Sequence, residues 1–207
     1  ANAAGQFIGE SFGGDQNCFI GPHPDSDVKW LDAAVGYRVD GPDRLLVDSM
    51  GKVVARLAPG GQPTPSRNGP ATDASPPSVS DKDQRFQSPQ PVPASLVAAD
   101  ESDLIGRWRA SGPRAGNAAA FVRFKTTGFW TGSDGCNGAG GRYAVAAAGE
   151  MMTISGSSTT VGCDSSPAPL WVRDARRVAL DHGQLVLFGF AGEQLGRRDR
   201  QGGSPTH

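Results

Sequence analysis

The chain has 207 residues, a formal net charge of −1, 29 glycines, 16 prolines and three cysteines. This length accommodates one large domain or two small ones, and the glycine and proline content favours short strands and turns over a helical bundle. No apolar run reaches the roughly 18 residues of a membrane span, and no basic cluster with interleaved aromatic residues points to nucleic acid, so both of these functional classes are disfavoured.

Residues 1–57 are predicted to form a partial structural unit of strands and one helix. Asp25 or Ser26 is suited to cap the helix, and a hairpin turn is predicted around residues 41–43 because Gly, Pro and Asp favour tight turns. The predicted elements are a strand over residues 6–12, a helix ending near Ala34, and strands over 37–39, 45–47 and 52–57.

Residues 58–103 differ from the rest of the chain in composition. This stretch is rich in Pro, Ser, Asp and Gln and contains nine prolines. Such a segment buries too little apolar surface to offset its conformational entropy, so we expect an extended linker. The alternative interpretation is a proline-rich docking motif.

Residues 104–198 are predicted to form a second, mainly β domain with one short helix, and residues 199–207 a polar tail. Val122 and Phe124 alternate with Phe121, Arg123 and Lys125, a pattern typical of a strand with one solvated face. A glycine-rich turn holds Cys136, and Ser166 is suited to cap the helix. The predicted strands cover residues 104–110, 121–125, 129–131, 152–161, 177–180, 184–188 and 193–195, and the helix runs to about Ala175.

The order strand, cysteine, helix, hairpin, strand occurs twice and indicates an internal repeat. In this alignment Trp30 corresponds to Trp171 and Cys18 to Cys163. The first unit has no counterpart of the strands that carry Trp108 and the Gly-Cys-Asn turn in the second. We therefore expect either that the sequence begins in mid-domain or that the missing strands come from elsewhere.

A half-sheet of this kind has an open edge and an uncovered apolar face, which a soluble protein avoids. Residues 1–103 carry 8 Lys and Arg against 14 Asp and Glu, and residues 104–207 carry 12 against 7, so the halves have opposite net charge. We expect the two units to dock. The residues expected at this contact are Leu45, Val47, Val54 and Leu57.

Cys136 and Cys163 lie at the ends of neighbouring extended segments, and three roles remain open for them. A disulfide would close a loop worth about 3 kcal/mol in an oxidising compartment. A metal site lacks further ligands at Cys-x-x-Cys or His-x-x-x-His spacing. A nucleophilic Cys136 needs a base, for which His182 is the one histidine in the predicted domain, although its Asp-His-Gly context favours a turn role.

Polar and aromatic side chains near the cysteines form a candidate ligand or partner surface. Asp and Asn are also standard turn formers, and tryptophans more often pack in a core, so structural roles compete with binding for each of them. No catalytic residue, metal ligand or cofactor is assigned. The residues of this surface are Asp134, Asn137, Asp164, Trp108, Trp130 and Trp171.

The segments Gly-Cys-Asn-Gly, Gly-Arg-Tyr, Met-Thr-Ile and Ser-Thr-Thr-Val-Gly-Cys, followed by a helix and a hairpin ending in Leu-Val-Leu, resemble the META domain, the HslJ-like family of bacterial envelope proteins. The resemblance covers residues 104–198. It implies a small antiparallel sheet or partial barrel with one helix, an extracytoplasmic location, a Cys136–Cys163 disulfide and no established enzymatic activity. In the repeat alignment Cys18 has no partner in its own unit, so we expect either a free thiol there or a bond to a segment upstream of this sequence.

These observations favour a non-catalytic extracytoplasmic binding or structural protein in envelope maintenance or stress response. The alternatives are a secretion or assembly accessory protein and a hydrolase that uses Cys136 or His182. The expected partner is another envelope protein or a small ligand, not nucleic acid. We expect membrane contact only through a lipid anchor or signal outside this sequence.

Overall fold

The computed structural model describes residues 1, 4–9, 29–60, 89–110, 119–156, 158, 159, 162 and 168–201. Its helices are α1 (Lys29–Ala33), α2 (Glu101–Leu104) and α3 (Ala168–Asp174), with a 3₁₀ turn at Ala147–Gly149. Its strands are β1 (Gly36–Asp40), β2 (Asp43–Val47), β3 (Val53–Leu57), β4 (Val97–Ala98), β5 (Gly106–Ala110), β6 (Phe121–Phe124), β7 (Phe129–Ser133), β8 (Gly138–Ala146), β9 (Glu150–Ser155), β10 (Arg177–Asp181), β11 (Gln184–Phe188) and β12 (Gln194–Arg200). The helix caps predicted at Asp25, Ser26 and Ser166 lie outside the described residues.

The strands β5 to β12 form an eight-stranded antiparallel barrel. Each strand pairs with the next along the chain, and β12 pairs with β5 to close the sheet. The contact between β9 and β10 is the shortest, with the single residue pair Arg177 and Glu150. The predicted mainly β fold is confirmed, and the barrel is closed where a partial barrel was expected, because the last strand continues to Arg200 and reaches β5.

Aromatic and aliphatic side chains fill the barrel. The alternation predicted for β6 is present, since Val122 and Phe124 are buried while Arg123 is exposed. The rings of Phe124 and Tyr143 meet edge to face with centroids 4.9 Å apart. Helix α3 packs against this core. The fully or nearly fully buried members include Trp108, Trp130, Tyr143, Met151, Val172, Leu185 and Leu187.

Residues 89–98, which fall within the predicted linker, pack on the outside of the barrel, and Ala99 and Leu104 join its core. Val92 and Leu96 contact a small buried cluster on β10 and β11, and β4 pairs with β10. The Asp100 carboxylate accepts a hydrogen bond from the Asp103 backbone, and the Asp103 carboxylate accepts one from the Asp100 backbone, which fixes the start of α2. The many prolines of this stretch led to the prediction of an extended linker, although the spaced apolar residues and this helix cap are also present in its sequence.

The first unit consists of α1 and a three-stranded antiparallel sheet of order β1, β2, β3. The backbone of residues 5–7 runs beside β1 through a bridge between Gln6 and Gly36 and a hydrogen bond from Phe7 N to Val35 O. Leu46 is buried against this small core. In the described part of the chain β3 pairs with β2 alone, so its outer edge is open.

The first unit reproduces helix α3 and the last three strands of the barrel residue for residue. Gly36 faces Val47 in the first hairpin, and Arg177 faces Phe188 in the second, a constant difference of 141 in residue number. Residues 44 and 57 are partners in the first unit, as residues 185 and 198 are in the barrel. Both pairings shift register at the same place, between residues 46 and 47 and between residues 187 and 188. In the predicted repeat, α1 and β1 to β3 are therefore structural equivalents of α3 and β10 to β12, whereas Cys18 and part of the strand predicted before it lie outside the described residues.

An ion pair is repeated at the same offset. Arg56 contacts the carboxylates of Asp40 at 2.8 Å and Asp43 at 2.6 Å. The equivalent Arg197 contacts the Asp181 carboxylate. The Arg197 guanidinium, and after it His182, holds the pKa of Asp181 below its ordinary value. The shared ion pair supports a common origin for the two hairpins.

Candidate functional site

The loop between β7 and β8 presents Cys136 and is organised by Asp134. The Asp134 Oδ1 atom accepts hydrogen bonds from the backbone N of Cys136 at 2.7 Å and of Asn137 at 2.5 Å. The Asn137 side chain donates to the other carboxylate oxygen at 3.2 Å. The polar groups of Asp134 and Asn137 are thus used within the loop, where they fix the backbone around Cys136.

The segment that leads to Cys163 lies beside this loop. The Gly138 N donates to the Thr159 Oγ1 at 2.9 Å, and the Thr159 N donates to the Gly138 carbonyl at 3.1 Å. Cys163, Asp164 and Cys18 lie outside the described residues, so the Cys136–Cys163 bond stays a prediction. Cys136 itself does interact with another residue.

His182, considered as a base for the hydrolase alternative, occupies the turn between β10 and β11. Its φ of 48° is in the left-handed region that a tight turn requires. The side chain is 98% exposed, and its Nδ1 lies 2.7 Å from the Asp181 carboxylate. This geometry fits the turn role anticipated from the Asp-His-Gly sequence.

The three tryptophans of the predicted surface differ in position. Trp108 and Trp130 are buried in the core, where their indole N–H groups donate to the carbonyls of Leu104 and Ile154 at 2.7 and 3.3 Å. These two rings form no exposed surface. Trp171, on α3, is partly exposed and packs against β12.

Arg198 on β12 is the functional candidate that sequence reasoning missed. Its side chain is fully buried, its guanidinium lies 4.2 Å from the Trp171 ring centre, and its Nη2 donates to the Ala168 carbonyl at 3.1 Å. Burial lowers its pKa to about 10. The run Gly-Arg-Arg-Asp-Arg suggests a solvated tail, but strand alternation turns Arg198 inward while Arg197 faces out to Asp181.

The first unit contacts the barrel through Arg142 on β8. This residue is 8% exposed, and its Nη1 donates to the carbonyls of Gly9 at 2.6 Å and Asp32 at 3.1 Å. The Gln6 side chain adds a hydrogen bond to the Val145 carbonyl at 3.0 Å. The units therefore meet as expected, but through a buried arginine and backbone carbonyls.

The aliphatic residues expected at this contact behave differently. Leu57 remains 42% exposed, and Leu45, Val47 and Val54 are partly buried. A cleft of about 560 Å³ lies between the units, lined in part by Phe7, Val35, Glu101, Thr126 and Tyr143. Burial, and after it the Asp100 charge, raises the pKa of Glu101.

Comparison with protein-family models, curated proteins and solved structures finds no match to this chain. Within the described ranges no group of three or more His, Cys, Asp or Glu side chains is placed to hold a metal ion. The helices that the structure describes include none that is long and apolar enough to cross a membrane. The META resemblance therefore rests on the sequence motifs given above.

Proposed function

We propose that this chain is a non-catalytic, extracytoplasmic structural or binding protein of the META type, and that its first unit accepts strands from a partner. The observation that carries this proposal is the residue-for-residue equivalence between the first unit and the part of a closed barrel formed by α3 and β10 to β12. Half of a barrel has an inner face and edges that the other half normally covers. Among the residues that the structure describes, the outer edge of β3 and part of this face in the first unit are uncovered, while Leu46 at the centre of the face is buried.

The inner face of the first unit exposes apolar side chains. Trp30, Val39 and Leu57 are 37%, 65% and 42% exposed. At the constant offset of 141 they correspond to Trp171, Leu180 and Arg198, which pack toward the barrel interior. Burying each exposed side chain would contribute up to about 1.5–3 kcal/mol, which is enough in sum to support specific association.

The strands that complete the barrel next to β10 to β12 indicate what kind of partner would cover this face of the first unit. In the barrel, β12, the equivalent of β3, pairs with β5 from Arg198 and Ala110 to Arg200 and Trp108, and β5 begins the meander β5 to β8. The predicted occupant is therefore a four-stranded antiparallel meander with aromatic inward side chains, supplied from outside these 207 residues. Strand addition to β3 provides backbone hydrogen bonds, and the meander's side chains provide specificity.

A binding titration tests this proposal with the full chain. The probe is a fluorescently labelled fragment comprising residues 104–146, which carries a meander of the required type. We expect saturable one-to-one binding that Leu57→Asp weakens at least tenfold. The matched control is Met50→Asp, which removes an apolar side chain that is 85% exposed in the β2–β3 turn, and it should bind as the unchanged chain does. Absence of binding, or self-association of the full chain through Leu57, would contradict the proposal.

The extracytoplasmic location depends on the predicted Cys136–Cys163 disulfide. Support comes from the paired hydrogen bonds of Gly138 and Thr159, which lie two residues after Cys136 and four residues before Cys163. An extended chain advances about 3.3–3.6 Å per residue, so the short segments between Cys136 and Gly138 and between Thr159 and Cys163 are long enough for the two sulfurs to meet.

Intact mass measurement after thiol labelling of never-reduced protein checks the disulfide. We expect one label, located on Cys18 by peptide mapping, and three labels after reduction. Labelling of both Cys136 and Cys163 without reduction would remove the support for an oxidising compartment. A bridge between Cys18 and Cys136 would contradict both the disulfide and the alignment of Cys18 with Cys163.

A further inference from the structure

Arg198 is a buried cation whose hydrogen bonds are incomplete. Its Nη2 donates to the Ala168 carbonyl, whereas Nε and Nη1 are buried and have no hydrogen-bond partner in the part of the chain that the structure describes. No carboxylate within the described ranges forms an ion pair with it. A buried guanidinium without a counter-ion destabilises a fold, so its presence requires an explanation.

The repeat shows that this fold does not require an arginine at this position. The equivalent residue of the first unit is Leu57, which has the same cross-strand relation to residue 44 that Arg198 has to Leu185. The neighbouring tryptophan, in contrast, is present in both units as Trp30 and Trp171. The arginine is thus specific to the complete barrel.

Trp171 holds the guanidinium in a defined orientation. A Cβ atom at Gly196 would lie 2.1 Å from the Trp171 ring, so the glycine allows the indole to lie directly on β12. The ring then stacks on the Arg198 guanidinium at 4.2 Å. Stacking engages the face of a guanidinium and leaves its N–H groups, which point outward in its plane, for oxygen acceptors.

Arg198 lies close to the end of β5. Arg200, two residues further along β12, is exposed and lies nearer the start of β5, over the Trp108 ring at 4.7 Å, where it donates a hydrogen bond to the Asp103 carbonyl. Ala110, the cross-strand partner of Arg198, is the last residue of β5, and Ala168 is the first of α3. The free donors of Arg198 therefore lie where β5 ends and α3 begins.

We propose that Arg198 is the anchor of an oxyanion-binding site at this end of the barrel, with a small carboxylate or inorganic oxyanion as ligand. The oxyanion supplies the acceptors that Nε and Nη1 lack and neutralises the buried charge. The lowered pKa of Arg198 agrees with a cation that burial disfavours until an anion binds. This site is separate from the strand-accepting face, because the first unit carries Leu57 at the equivalent position.

Thermal unfolding of the full chain in different anions tests the proposal. Acetate, phosphate and sulfate are each titrated against chloride at matched ionic strength, which separates a carboxylate ligand from an inorganic one. We expect one of them to raise the Tm in a saturable manner, by about 5–10 °C at roughly one hundred times its Kd. Binding should also change the fluorescence of Trp171, and this change should be absent in Trp171→Phe.

Two variants distinguish a ligand site from a structural arginine. Arg198→Leu introduces the leucine that the first unit has at position 57. It should abolish the anion-dependent rise in Tm and leave the Tm in chloride equal or higher. Arg123→Leu, which removes an exposed arginine from β6, is the control for net charge and should keep the full rise. If Arg198→Leu instead lowers the Tm equally in every anion, or if the unchanged chain shows no anion-specific rise, the proposal is overturned.

Discussion

Replacement of Trp108 by alanine is expected to destabilise the barrel by about 3–5 kcal/mol, the range observed for truncation of a large buried aromatic side chain. Trp108 is fully buried, and its indole N–H donates to the Leu104 carbonyl at 2.7 Å. The substitution leaves a cavity between β5, β6 and β12 and an unsatisfied carbonyl at the end of α2. Urea unfolding followed by far-UV circular dichroism measures the change.

Two further variants separate the cavity from the lost hydrogen bond. Trp108→Phe keeps much of the ring volume but removes the N–H group, so we expect roughly half the effect. Phe129→Ala truncates a ring that is 44% exposed and should cost less than about 1.5 kcal/mol. A loss below about 1 kcal/mol for Trp108→Ala would show that this ring is not part of the barrel core.

Gly149→Ala is expected to destabilise the barrel by about 3 kcal/mol or more. Gly149 has a φ of +70°, and a Cβ atom there would lie 2.2 Å from the Val178 carbonyl oxygen. The left-handed conformation alone costs a non-glycine residue about 1–2 kcal/mol, and the overlap with backbone adds to this. The position is sensitive because β9 meets β10 directly after it, through Glu150 and Arg177.

Gly183→Ala is the matched control for this effect. Gly183 has a similar φ of +83°, but an added Cβ atom meets nothing within 4 Å. We expect this variant to lose only about 1–2 kcal/mol of stability, which is the cost of the left-handed conformation for a non-glycine residue. Chemical denaturation of both variants compares them directly, and equal losses would mean that the close approach at Val178 does not constrain barrel closure.

Local patterns in the sequence predicted much of this fold for clear physical reasons. The alternation of Val122, Arg123 and Phe124 reports which face of β6 is buried, because successive strand residues point to opposite sides. The repeated order of helix and hairpin predicted the equivalence of Trp30 and Trp171, which the common register supports. These features depend on residues close in sequence.

The features that sequence reasoning missed depend on contacts between distant residues. Barrel closure requires Arg200 to reach Trp108, and the contact between the units depends on Arg142 and the Gly9 carbonyl. Because these contacts are made by polar residues such as Arg200 and Arg142, the pattern of apolar residues in the sequence did not predict them. The same applies to Arg198, since a charged residue predicts a solvated strand until the register of its neighbours shows that it faces inward.

Hydrogen–deuterium exchange of the full chain, with and without a saturating amount of the fragment comprising residues 104–146, tests strand acceptance most directly. The outer edge of β3 is open in the described part of the chain, so we expect its amides to exchange more slowly when the fragment binds, while exchange in β8 and β9 is unchanged. Unchanged exchange throughout β3, or slowed exchange in the barrel strands instead, would contradict the claim that the first unit is a half-barrel that binds a complementary meander.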